Sequence, residues 1–93
     1  MTEPEAGVVA VSRAGHDKGR AFVIIGREGT EYVLLADGRT RMAAKPKRKK
    51  LRHVHLEPAA AESVREALLS GRVPTDAELR KALTDLGYRA DSE

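Results

Sequence analysis

Turn-forming residues interrupt the chain at close intervals between Gly7 and Leu56, and no apolar run between them exceeds five residues. Helices of ordinary length do not fit such spacing, whereas short antiparallel strands do. "GVVAVSR" sets Val9 and Val11 on one face, and "AGHDKG" supplies Gly15, Asp17 and Gly19 for a bend in which Asp17 is placed to cap its own turn. "RAFVIIG" is rich in β-branched and aromatic residues and completes a first hairpin. Glu28-Gly29 turns the chain into a third strand, "YVLLA". Asp37-Gly38 is a dipeptide suited to a tight hairpin, so a short fourth strand is expected from Arg39 to Met42. "LRHVHLE" alternates again, with Val54 and Leu56 sharing a face with Arg52, and is expected to close a five-stranded barrel. Closure would remove the exposed edges that a sheet this small cannot otherwise cover.

The pattern changes at Pro58, where "PAAAESVREALLSG" brings good helix formers, with Val64, Leu68 and Leu69 at helical spacing. Pro58 suits a first helical turn and Gly71 an end. Thr75 and Glu78 make an S/T-x-x-E capping box for a second helix that carries Leu79, Leu83 and Leu86 as its apolar stripe and stops at Gly87. Tyr88 is expected to close the C-terminal end of that stripe. Helices this short are marginal alone, so their apolar stripes must pack on each other or on the strands. The expected organisation is mainly β over residues 1–58, with a helical hairpin over 59–93 and frayed ends at 1–6 and 90–93.

Charge is distributed unevenly. The net charge of +3 combines 12 Lys/Arg against 7 Asp/Glu in residues 1–58 with 5 against 7 in residues 59–93. Arg39, Arg41, Lys45, Lys47, Arg48, Lys49, Lys50 and Arg52 are eight cations with no acid among them. Clustering of this kind attracts a phosphate backbone more strongly than total charge suggests. The chain lacks cysteine, which excludes disulfides and thiolate metal sites. Its apolar runs are far too short to span a bilayer, and its acidic start is unlike a signal peptide, so a soluble, cytoplasmic protein is expected.

The stretch "VAVSRAGHDKGRAFVIIGREGTEYVLL", Val9 to Leu35, resembles a KOW motif, an RNA-binding element of about 27 residues with glycine at its eleventh position; here that glycine is Gly19. Together with "YVLLADGRTR", "KPKRKKLRHVHL" and "TDAELRKALTDLGY", it is similar to small bacterial KOW-domain proteins related to the fourteenth large-subunit ribosomal protein of archaea and eukaryotes. Nearly the whole chain is covered. The resemblance implies an SH3-like barrel and contact with RNA, ribosomal in kind, with ribosomal proteins as further partners. The modest net charge suits an accessory or conditional binder better than a permanent subunit.

The residues themselves fit two readings of the first loop, an RNA-facing surface and an ordinary hairpin loop with solvated charges, and the resemblance favours the first. Arg13, His16, Lys18 and Arg20 project from a loop bent by Gly15 and Gly19, with Gly19 read as a backbone requirement. The run Lys45 to Arg52 admits three readings: a phosphate-binding arm held extended by Pro46, a solvated loop, or a nuclear localisation signal in "PKRKKLR". The arm is preferred because the run is internal to the fold, positioned through Asp37-Gly38 and the strand expected to follow. His53 and His55 form an H-x-H pair expected on one strand face. Neighbouring Lys49, Lys50 and Arg52 disfavour a metal there, so base stacking, a phosphate contact or plain exposure remain. Phe22 and Tyr32 read as packing residues, which disfavours proline-peptide and methyl-lysine recognition, both of which need aromatic walls.

No nucleophile–base arrangement or P-loop is apparent, and Asp76, Glu78 and Asp85 read as a solvated helix face, so a non-enzymatic protein is expected, with no cofactor and no small-molecule substrate. A rival reading makes the helical hairpin the interface of a protein-interaction module associated with transcription or translation factors.

Overall fold

The structure, a computed structural model, describes residues 3–88. Five strands, β1 (Val8–Ser12), β2 (Ala21–Glu28), β3 (Tyr32–Ala36), β4 (Lys47–Lys50) and β5 (Val54–Ala60), precede two helices, α1 (Glu62–Leu69) and α2 (Asp76–Asp85). The strands form one antiparallel sheet in the order β4-β3-β2-β1-β5. Val8, Val9 and Ala10 in β1 and Ala21 through Ile24 in β2 are all buried, which is why these strands read as continuous apolar runs. A strand covered on both faces has no solvent side to mark with polar residues.

Each face has its own cover. Val9, Ala21, Val23 and Ala36 pack with Ala61, Val64, Leu79, Ala82 and Leu83, so the helices lie on this side of the sheet. Val8, Ala10, Phe22, Ile24, Val33, Leu35 and Val54 form the second cluster, supplied by strands alone. That cluster requires the sheet to curl over itself, and the chain path enforces the curl. β4 and β5 lie at opposite ends of the strand order, yet only the 3₁₀ turn Leu51–His53 separates them. Four inter-strand spacings of a flat sheet would span about 19 Å, further than so short a connection reaches. The sheet nevertheless remains open, since β4 and β5 do not pair among the described residues.

Several sequence expectations are corrected. Residues Arg39 to Met42 form a turn, and the fourth strand is Lys47–Lys50, paired with β3 through Tyr32↔Lys50 and Leu35↔Lys47. The cause is Asp37, a fully buried carboxylate. Its Oδ1 accepts the N–H groups of Arg39, Thr40 and Arg41, each at 2.9 Å, and its Oδ2 accepts the Thr40 hydroxyl at 2.9 Å. Backbone donors gathered onto one side chain are lost to a strand ladder. The basic run is therefore an edge strand and not a free arm. Lysine on an edge strand also hinders pairing with other chains.

Pro58 lies inside β5, and α1 begins only at Glu62; residues 59 and 60 thus belong to the sheet, whose core the helices share. Leu69 is 77% exposed and Leu86 39% exposed, so neither belongs to the buried stripe, which consists of Val64, Ala67, Leu79, Ala82 and Leu83. The capping box of α2 is present as read: Thr75 Oγ1 accepts the Glu78 N–H at 3.1 Å and Glu78 Oε1 accepts the Thr75 N–H at 2.8 Å. Both helices end in the same way. The N–H groups of Gly71 and Arg72 donate to Leu68 and Ala67, and those of Gly87 and Tyr88 to Thr84 and Leu83, the paired bonds of a Schellman cap. The Tyr88 hydroxyl donates to Glu57 Oε1 at 2.7 Å, fixing the end of the hairpin to β5. Residues 90–93 lie outside the described residues. Near the other end, Glu5 pairs with Arg65 of α1 at 3.5 Å.

Candidate nucleic-acid interface

Antiparallel pairing distributes the cations of the basic run over two faces, because residues opposite each other in a ladder project to the same side. Lys47 and Lys49 face Leu35 and Val33, both fully buried in the strand-only cluster, whereas Arg48 and Lys50 face Leu34 and Tyr32. The two pairs meet different neighbours.

On the first side, three segments converge on the loop from Arg13 to Arg20. The Lys49 ammonium donates to the Ala14 carbonyl at 2.8 Å. Arg41 donates to Asp17 Oδ2 at 3.2 Å. The Arg13 N–H donates to the His53 carbonyl at 2.8 Å, which adds the 3₁₀ turn and hence Arg52 to the same end of the sheet. The carboxylate of Asp17 is thus committed to Arg41 and not to its own turn, although its carbonyl accepts the Arg20 N–H. Gly15 and Gly19 adopt φ +78° and +88°; a side chain at Gly19 would meet nothing within 4 Å, so its constraint is conformational. Arg13, His16, Lys18 and Arg52 are exposed around these ties, and Arg20 is half-buried. Arg39 and Lys45 are exposed on the turn that Asp37 organises, with Gly38 buried within it.

On the second side, Arg48 is partly neutralised. Its Nε lies 2.7 Å from Glu28, and its guanidinium sits 3.7 Å above the Tyr32 ring. Lys50 and Arg52 line a pocket of about 460 Å³ with Thr30, Glu31 and Leu51. Although the basic run contains no acid, the β2–β3 turn brings Glu28 and Glu31 to this side. Sequence reading missed Thr30, Glu31 and Tyr32 as neighbours of the run. Their proximity depends on the register Tyr32↔Lys50, which becomes visible only once Lys47–Lys50 is recognised as a strand.

The histidines do not form a strand pair. His53 ends the 3₁₀ turn, while His55 lies on β5, 63% exposed, with Nε2 3.3 Å from Glu57. Among the described residues, no three His, Asp or Glu side chains are grouped to hold a metal. Phe22 is fully buried, and Tyr32 is half-buried beneath Arg48. No helix among the described residues is long and apolar enough to cross a membrane. No family model matches the chain, and neither does any curated protein.

Proposed function

We propose that the protein is a non-enzymatic RNA-binding protein whose curled sheet is an SH3-like barrel of the KOW type. It grips the phosphate backbone with the end of the sheet that carries Arg13, His16, Lys18, Arg20 and Arg52. The observation that carries this reading is the convergence of the 3₁₀ turn, Arg41 and Lys49 on one loop, which gives several exposed cations a common, preorganised platform. Preorganisation matters because each long side chain immobilised on binding costs affinity. The strand order, with its two ends brought together by a three-residue turn, supports the barrel reading. The resemblance of Val9 to Leu35 and of the basic run points to ribosomal RNA and to a cytoplasmic, ribosome-associated role. Phosphate contacts dominate in this reading because exposed aromatic platforms for stacking are scarce.

The test is binding of the full chain to ribosomal RNA across a potassium chloride series. Six phosphate contacts give a log–log slope of about −4 on single strands or about −5 on a duplex. Replacing Arg13, Lys18 and Arg52 together by alanine should flatten the slope by about 2 to 3 and weaken binding at least about tenfold at moderate salt. The reading fails if wild type shows no RNA binding above background, or if the triple variant binds as tightly and with the same slope.

A further inference from the structure

The pocket beside the β2–β3 turn lies where that turn meets the end of β4 and the 3₁₀ turn, and phosphate gripping alone does not account for a lining that includes Glu31 and Leu51. Its volume, about 460 Å³, is within the range of small-ligand sites, roughly 300 to 1,000 Å³. Leu51, half-buried, offers an apolar wall; Lys50 and Arg52 are cations; Thr30 and Glu31 are the polar groups of the facing turn. No hydrogen bond or ion pair among the described residues engages the side chains of Glu31, Lys50 or Arg52. The backbone around them is nevertheless fixed, because the Leu51 N–H donates to the Glu31 carbonyl at 2.7 Å. The lining therefore combines a carboxylate-bearing residue, two cationic residues and an apolar one, and its two sides are tied together by that backbone bond.

A carboxylate only accepts hydrogen bonds, and it accepts best from two adjacent donors. Of the four RNA bases, guanine alone offers two neighbouring donors, N1–H and the N2 amino group, on its Watson–Crick edge. Adenine and cytosine set one amino group beside a ring nitrogen acceptor, and uracil sets its N3–H between two carbonyls; each brings a lone pair towards the carboxylate. The Watson–Crick edge is open only on an unpaired base. Lys50 and Arg52 then suit the phosphates flanking that base, and Leu51 suits its ring face.

We propose that this pocket holds one unpaired guanine of a bound RNA strand, read by the Glu31 carboxylate. The inference rests on the RNA-binding reading and deepens it: one base contact is added to a grip otherwise indifferent to sequence.

The test measures binding of the full chain to four single-stranded oligouridylates that differ only at a central position, occupied by guanosine, adenosine, cytidine or uridine. Guanosine is expected to bind about tenfold more tightly than the others, the usual scale of one bidentate base contact. Inosine at that position, lacking the N2 amino group, should recover only part of the advantage. Glu31→Ala and Glu31→Gln should abolish it while binding the all-uridine strand at least as well as wild type, since Glu31 is an exposed turn residue. Equal binding of all four strands, or a guanosine advantage that survives in Glu31→Ala, overturns the guanine site and leaves phosphate recognition standing. Failure to bind any of the four strands overturns the guanine site, while the RNA-binding reading is decided separately by the ribosomal RNA series.

Discussion

The Asp76 carboxylate in the first turn of α2 accepts the backbone N–H of Ala43 at 2.7 Å, joining the helical hairpin to the loop that follows β3. Arg80 extends the seam by donating to the Gly38 carbonyl at 2.7 Å. Gly38 adopts φ +77°, and a Cβ there would run into the Asp76 carbonyl and the Arg80 side chain. Gly38→Ala thus combines a left-handed backbone with a clash against a helix that cannot easily retreat. A loss of about 2 kcal/mol or more is expected, seen as a lower urea midpoint with an unchanged slope. A midpoint equal to that of wild type would show that the seam yields freely.

Asp37 should matter more than its charge suggests. Removing its carboxylate orphans the N–H groups of Arg39, Thr40 and Arg41 in one step. Asp37→Ala is expected to cost roughly 3 kcal/mol by chemical denaturation, and Asp37→Asn roughly 1 kcal/mol, because the amide oxygen can still accept at the same place. Equal losses in the two variants would argue that charge, and not acceptor geometry, organises the turn.

This turn also explains the limit of what the sequence disclosed. The β1–β2 and β2–β3 hairpins, the capping box at Thr75 and Glu78, and the stops at Gly71 and Gly87 depend on neighbours in the chain, and they are found where the local pattern places them. Asp37-Gly38 has the same local signature as a tight hairpin, but burial of Asp37 makes its side chain the organiser of a longer loop and delays the fourth strand to Lys47. Lysine-rich segments have low strand propensity, so "KRKK" is a strand only because β3 supplies a partner. Pro58 is ambiguous for a similar reason: proline suits an edge strand as well as a first helical turn. The cationic composition of the candidate interface was legible, whereas its division between two faces, and the acids opposite one of them, required the register.

Acid should weaken the start of α2 within a defined window. Hydrogen bonding from Arg72, followed by that from the Thr75 backbone, holds the Glu78 carboxyl down to about 2, below its ordinary value of 4.5. A carboxylate depressed in the folded state contributes stability that is present above the unfolded value and is lost as pH falls towards the folded one. Thermal midpoints of wild type should therefore decline relative to Glu78→Gln as pH is lowered from about 4.5 to about 2. Parallel profiles for the two proteins would exclude the capping box as the source.

The two faces of β4 lead to contrasting expectations for adjacent residues. Lys49 is half-buried and its ammonium holds the Ala14 carbonyl, while Arg48 is 54% exposed and meets a Glu28 carboxylate that is 53% exposed. Exposed ion pairs contribute about 1 kcal/mol or less, whereas a hydrogen bond from a charged group to a sheltered acceptor contributes about 1.5 kcal/mol or more. Lys49→Met should therefore loosen the loop from Arg13 to Arg20 specifically. The amides of Lys18 and Gly19, bonded to the carbonyls of Gly15 in the loop and Ser12 at the end of β1, should exchange hydrogen about tenfold faster than in wild type. Arg48→Met should leave both rates unchanged, because its partners lie on the opposite face of the strand. Exchange at those amides that responds equally to the two substitutions would mean that the loop senses the charge of β4 as a whole, and the tie from Lys49 to Ala14 would lose its assigned role.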